Sequence, residues 1–241
     1  MQSLVTAEHV RQFTEDGFFL LRDVVPPNDL VLLREECDRF VAEREQEMDR
    51  LGVDNIDLDH RGRRYFVHAY DRSAVVRRFL FSGLMRNIAQ TVLGDTVYLF
   101  NEQYVVKAAE QGMSLSWHQD SGYLESGHRP YLTCWITLDD VTEQNGTVYL
   151  LPYSRAATRE AVPHVRDEQT GDMVGYSGDD PGDPVIAPAG SIACFASTVL
   201  HRSGANTTER FRRVYLAQYS AEPILDAEGS LEHLAEPLTT R

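Results

Sequence analysis

The chain has 241 residues and a mass of 27.3 kDa, and its 42% hydrophobic and 25% charged content describes a folded globular protein rather than a disordered one. Acidic residues outnumber basic ones 37 to 23, for a net charge of −14 and a pI near 4.9. That balance excludes a protein whose affinity comes from nucleic-acid phosphates or an anionic membrane, although a few local arginines can still hold a small anion. Cys37, Cys134 and Cys194 are odd in number and contain no C-x-x-C, so no disulfide framework is expected and a reducing cytoplasm fits best. No basic-then-apolar leader and no long apolar run appear, which predicts neither a signal peptide nor a membrane span.

In chain order, Thr6 caps a short helix through Phe13 that Gly17 ends, and GFFLLRDVV reads as a first strand stopped by Pro26-Pro27. Asn28 or Asp29 then caps a long helix in which Leu30, Leu33, Cys37, Phe40 and Val41 recur at helical spacing until Gly52. A polar stretch around IDLDHRGRR follows, then two helices, the first opened by Ser73 and the second closed by Gly94-Asp95. From residue 97 the pattern turns to β: VYLFNEQYVVKA, YLTCWITL, TVYLL, PVIAPAGSIACF and RVYLAQYS, with Asn145-Gly146 marking a hairpin turn. Segment 154–183 is polar, glycine-rich and too long for a connector, so it reads as a mobile lid or substrate loop. The expected layout is a single domain over 1–241: a helical layer to about 95, a β core to about 221, and a C-terminal tail from 222.

Two histidines stand in informative settings. His118 and Asp120 share one face of an extended SLSWHQD segment, and His201 ends an apolar β run, FASTVLH. Taken singly, an H-x-D is commonly a turn and a histidine after a strand is commonly a loop residue. Together, two imidazoles and one carboxylate make the facial triad that suits non-haem Fe(II). Arg212 lies eleven positions after His201. With a hairpin turn over 203–209, it shares an inward strand face with Val214 and Leu216. A guanidinium there can grip the distal carboxylate of 2-oxoglutarate, while Arg210 and Arg213 read as a surface cluster.

The ordered motifs WHQD, CWITLDDVTEQNGTVYLLP, AGSIACF, LHRSGAN and FRRVYLAQY resemble the phytanoyl-CoA dioxygenase family of Fe(II)/2-oxoglutarate oxygenases over roughly residues 12–220. The resemblance implies a mainly β fold with N-terminal helices around a double-stranded β-helix (jelly-roll, cupin-like) core. It also implies His118, Asp120 and His201 as iron ligands, Arg212 as the 2-oxoglutarate anchor, and Ser203, Trp135 and Gln103 around the co-substrate. LPYSR at 151–155 departs from the Pro-Gly-Ser-His turn common among relatives, which touches loop shape and not the metal.

The expected activity is O₂-dependent hydroxylation of an unactivated C–H bond in a small-molecule metabolite, with release of succinate and CO₂. Desaturation, epimerisation or cyclisation on the same scaffold, or a cupin-like metal protein without 2-oxoglutarate, are the alternatives. Expected partners are a small molecule, no nucleic acid and no membrane, with the chain a monomer or weak homo-oligomer. Tyr65, Phe66, Tyr123 and Tyr176 are expected to line the pocket with few charges, and His68 either faces it or packs the helical layer. His9, His60, His128, His164 and His233 read as solvent-facing, and the single lysine, Lys107, as a solvated strand end.

Overall fold

The structure, a computed structural model, describes residues 4–56, 59–67 (backbone alone over 63–67), 69–110 and 113–239. His68 lies outside the described residues, as do the side chains of Tyr65 and Phe66. The chain begins with α1 (Ala7–Asp16), β1 (Phe18–Leu21), α2 (Pro27–Leu51), β2 (Asn55–Ile56), β3 (Asp59–His60), β4 (Arg63–Val67), α3 (Ala74–Leu80) and α4 (Gly83–Leu93). The β-rich part holds β5 (Tyr98–Lys107), β6 (Leu115–His118), β7 (Leu132–Thr137), β8 (Val148–Leu150), a short α5 (Tyr153–Ala156) and β9 (Val165–Arg166). It ends with β10 (Met173–Val174), β11 (Asp183–Pro184), β12 (Ile192–Ala196), β13 (His201–Ser203), β14 (Arg212–Ser220) and β15 (Glu236–Pro237).

Local signals explain most helix ends. Thr6 and His9 form a reciprocal capping box on α1, and Gly17 closes it at φ 89°, a left-handed conformation that suits glycine. Ser73 caps α3 and Ser82 caps α4 through their hydroxyls. The long helix departs from expectation: neither Asn28 nor Asp29 caps it. It starts one turn earlier, with Pro27 in the first helical position, where the fixed φ and missing N–H of proline cost nothing.

The large antiparallel sheet runs β1-β12-β7-β14-β5-β4-β3-β2, with β15 also on β5, and a second sheet runs β11-β8-β13-β6. The first ninety-five residues are therefore not purely helical. β1, read from sequence as a strand, extends the large sheet by pairing with β12, and the meander β2–β4, read as a polar stretch, joins it through the pairing of β4 with β5. Strand alternation sorts the two faces of the sheet. Leu132, Cys134 and Ile136 of β7 face the helices, joining Leu33, Phe40, Val76, Leu80 and Ile88 in one core. Trp135, with Phe195, Val214 and Leu216, faces the second sheet and packs on Val148 and Leu150. Two sheets facing each other, with helices on the outer side of one, form a jelly roll. Cys134 and Cys194 lie side by side across β7 and β12 as buried free thiols, as their β context predicts.

Segment 154–183 is fastened rather than loose. The β9–β10 hairpin interrupts it, and the Asp172 carboxylate accepts from the Ser116 N–H at 2.9 Å. Gly175 N–H reaches the Trp117 carbonyl at 2.8 Å, and Arg155 pairs with Asp180 and Asp183, both at 2.6 Å. No helix among the described residues is long and apolar enough to cross a membrane.

Candidate metal centre and its cavity

The smaller sheet brings the first two candidates together. His118, the last residue of β6, stands in direct register with His201, the first residue of β13, and their ring centroids are 4.1 Å apart. Asp120 begins a single 3₁₀ turn (Asp120–Tyr123) just beyond, and its Oδ1 lies 3.5 Å from His201 Nε2. One ligand atom from each of the three residues falls within 4.8 Å of the others.

Backbone carbonyls settle which nitrogens face the centre. His118 Nδ1 lies 2.7 Å from the Ser116 carbonyl and His201 Nδ1 lies 2.9 Å from the Val199 carbonyl. A carbonyl only accepts, so each Nδ1 carries the proton and each Nε2 keeps a lone pair for a metal. Burial, then the neighbouring His201, push His118 down to about 3, so the ring is neutral at pH 7. Burial opposes the charge on Asp120, but His201, His118 and the Thr133 hydroxyl together outweigh it and hold the carboxyl below the usual range. The donor set is therefore two imidazoles and a carboxylate, which fits a ferrous ion with coordination positions left for other ligands.

Two supporting residues escaped the sequence reading. Asp120 Oδ2 accepts from the Thr133 hydroxyl and from Gln218 Nε2 (3.0 Å), and Gln218 also reaches Thr133 Oγ1 at 3.1 Å. These bonds orient the carboxylate so that Oδ1 points to the histidines. Gln218 was within reach of the parity argument, since it continues the Arg212, Val214, Leu216 face. Gln119, between the ligands, is buried and ties the 158–164 strip down, donating to the Thr198 carbonyl (2.6 Å) and accepting from Val162 N–H (2.8 Å).

The triad opens onto a cavity of about 500 Å³. Arg212, Ser203, Trp135 and Gln103 all line it, so the structure assembles every predicted site residue around one space. Arg212 is 1% exposed, its Nη2 donates to the Gly146 carbonyl at 3.0 Å, and its guanidinium carbon lies 5.7 Å from the Trp135 ring. Lys107 is its direct cross-strand neighbour on β5 and is fully buried, contrary to the solvated role expected from sequence. Its ammonium donates to Ser203 Oγ at 2.9 Å and to the Gly204 carbonyl. Two buried cations thus stand side by side at one end of the cavity.

Other expectations change. Arg213 points to the opposite face, as parity requires, but is no free surface group: it pairs with Asp139 and Asp38, both at 2.7 Å, and links α2 to the sheet. Tyr123 lines the cavity, whereas Tyr176 packs edge-on against Trp117 and does not. Charges are more numerous than expected, with Arg166, Asp172, Arg202 and Glu232 also on the lining. Of the histidines read as solvent-facing, His164 accepts from Gln119 N–H at 2.9 Å and is wedged against Gly122 and Gly175. His128 lies 3.1 Å from Ser121 Oγ, His9 stacks on Phe19, and His233 lines the cavity. Their partners come from distant segments, which local polarity does not reveal.

A family model described as phytanoyl-CoA dioxygenase (PhyH) matches residues 13–214. The chain belongs to the phytanoyl-CoA dioxygenase family. With that family, and with this donor set, it is a non-haem Fe(II)/2-oxoglutarate oxygenase. Among curated relatives, ectoine dioxygenase of Bordetella bronchiseptica is 24% identical over 92% of this chain and 78% of its own length. L-proline trans-4-hydroxylase of Streptomyces griseoviridis is 24% identical over 87% of this chain and 84% of its own. Among solved structures, the alpha-ketoglutarate-dependent carbocyclase SnoK from nogalamycin biosynthesis superposes with a TM-score of 0.72 at 19% identity, covering 98% of this chain and 94% of its own. EctD from S. alaskensis, solved with 2-oxoglutarate and 5-hydroxyectoine, gives 0.70 at 20% identity over 98% and 86%. These superpositions place the family's jelly roll on the present chain.

Proposed function

We propose that the chain hydroxylates an unactivated C–H bond of a small-molecule metabolite, using 2-oxoglutarate and O₂ and releasing succinate and CO₂. His118, Asp120 and His201 are the iron ligands in this reading, and Arg212 is the anchor of the far carboxylate of 2-oxoglutarate. The observation that carries it is the joint placement of the triad and the buried Arg212–Lys107 pair on one cavity. Bound iron supplies the O₂ chemistry; the chain supplies position and shelter. Arg212 offers a planar fork to the carboxylate and Lys107 adds a second charge beside it, both in a low-dielectric setting that strengthens the pairing. Trp135 backs the guanidinium, and the Ser203 hydroxyl, already oriented by Lys107, and Gln103 complete the co-substrate wall. Thr133 and Gln218 would hold the Asp120 carboxylate turned toward the two histidines where the iron would sit.

The three cysteines are free and buried, which supports the cytoplasm as the compartment, and a monomer or weak homo-oligomer is the expected state. An aerobic metabolite screen that follows succinate release, with product mass showing the gain of one oxygen atom, tests the reaction. His118→Ala and His201→Ala each abolish iron uptake and succinate release while the folded circular-dichroism spectrum persists. Near-wild-type turnover in either variant overturns the ligand assignment.

A further inference from the structure

The metal triad and the Arg212–Lys107 pair account for the inner end of the cavity. Its outer end is built differently. The C-terminal segment does not trail away: Leu234 N–H bonds the Phe100 carbonyl at 2.9 Å, β15 pairs with β5, and Glu236 meets Arg77 at 2.9 Å. Ile224 is buried with Phe100 and Tyr131, and the Glu232 N–H bonds the Ile224 carbonyl at 3.0 Å. These contacts hold Glu232 and His233 against the cavity, with the His233 ring 5.1 Å from Phe100.

Resting on the oxygenase reading above, we propose that this outer compartment binds the primary substrate and selects one that carries a protonated nitrogen, seated between the Glu232 carboxylate and the aromatic wall of Phe100 and Tyr131. Glu232 is half-buried, and its carboxylate makes no hydrogen bond or ion pair with any described residue. The other charges on the outer wall are engaged. Asp172 receives the Ser116 N–H, Arg166 donates to the Gly171 carbonyl at 3.2 Å, and Arg202 lies 3.8 Å over the Tyr149 ring and donates to the Pro181 carbonyl at 3.0 Å. Phe100 and Tyr131, 4.8 Å apart and inclined at 50°, both line the cavity, and aromatic rings attract ammonium groups. Tyr131 is 3% exposed, and its hydroxyl bonds to no described residue although it lines the cavity. A phenol is protonated at neutral pH, so this hydroxyl is a donor for a polar atom of the substrate. Of the charged groups on this outer wall, the Glu232 carboxylate is the one without a partner among the described residues, and it rewards an amine.

The test uses iron-loaded protein held without O₂ and saturated with 2-oxoglutarate. The probes are L-amino acids, cyclic imino acids and their decarboxylated amines, each matched with its N-acetyl derivative, and binding is read by calorimetry and thermal shift. Free-nitrogen probes bind and their N-acetyl partners do not. Glu232→Gln weakens the best probe at least ~10-fold and Tyr131→Phe about as much, in line with one hydrogen bond to a charged or buried group. A 2-oxoglutarate titration of each variant checks that the inner site is intact. Equal binding of the N-acetyl series, unchanged affinity in Glu232→Gln, or no free-nitrogen binder on protein that does take up 2-oxoglutarate overturns the proposal and leaves the oxygenase reading standing. Failure of 2-oxoglutarate itself to bind overturns that reading, and this inference with it.

Discussion

Arg212 and Arg213 are adjacent in sequence and opposite in the structure, so they separate two effects cleanly. Arg212 is 1% exposed and lines the cavity; Arg213 sits on the far face, held by Asp139 and Asp38. If Arg212 anchors the co-substrate as proposed, Arg212→Ala removes a two-pronged charged contact to its far carboxylate. At roughly 1.5–3 kcal/mol for a hydrogen bond to a charged group, the loss is about 2–3 kcal/mol. At 1.4 kcal/mol per tenfold, the Kd for 2-oxoglutarate rises ~30- to 150-fold. Arg212→Lys recovers part of this, because an ammonium keeps the charge without the fork. Arg213→Ala leaves 2-oxoglutarate binding unchanged but unties α2 from the sheet. A loss of about 1–2 kcal/mol for a partly buried network lowers Tm by ~2–8 °C in a chain of this size. Anaerobic titration of 2-oxoglutarate into iron-loaded protein, followed by the metal-to-ligand absorption band, measures the first effect, and thermal melting of the apoprotein measures the second. Equal weakening of 2-oxoglutarate binding in both variants, or a binding defect in Arg213→Ala alone, refutes the strand parity on which the site is built.

Thr133→Val combined with Gln218→Leu frees Asp120 Oδ2 and weakens Fe(II) binding ~10- to 100-fold with the ligands intact, as a metal-competition titration shows; unchanged affinity means the two residues serve packing alone. Glu102, buried under Tyr215 and Tyr70, is pushed up to about 7 by desolvation. The folded state therefore holds the proton more tightly than the unfolded chain, whose carboxyl ionises near 4.5. Stability from this group is full below pH 4.5 and lost as pH rises toward 7, by up to about 3 kcal/mol. Urea unfolding of Glu102→Gln at pH 5 and pH 8 shows a gain over wild type that grows with pH, and parallel pH profiles contradict the assignment. In Gly122→Ala a new Cβ would stand 2.3 Å from the His164 ring, displacing the wedge that pins segment 154–183. Limited proteolysis then cuts that segment faster than in wild type, and equal rates show that His164 does not hold it.

The spacing of His118 and Asp120 was legible locally, whereas His201 joined them only through the ordered motifs. An i, i+2 pair on an extended segment shares a face whatever the rest of the chain does, and the same repeat puts Arg212 on one face with Val214 and Leu216; the hairpin expected between His201 and Arg212 does not form, because β13 pairs with β6 and β8 while β14 pairs with β5 and β7 in the other sheet. Ordered motifs then placed the whole in a family. Capping chemistry is equally local, which is why Thr6, Ser73 and Gly17 end their helices where their side chains or φ angles permit. Burial and partnership are not local. Lys107 looks like a solvated strand end until β14 lies beside it in register and β13 brings Ser203 over its ammonium. Thr133 and Gln218 reach Asp120 from sequence distances of 13 and 98 residues, and His233 meets Phe100 only because the last segment folds back along β5. Those meetings depend on strand register and chain reversal, which are set by the summed packing of two cores and not by any one stretch of sequence. The sequence alone determined which residues can bind iron; only the tertiary structure decided which of their atoms face the centre and what surrounds them.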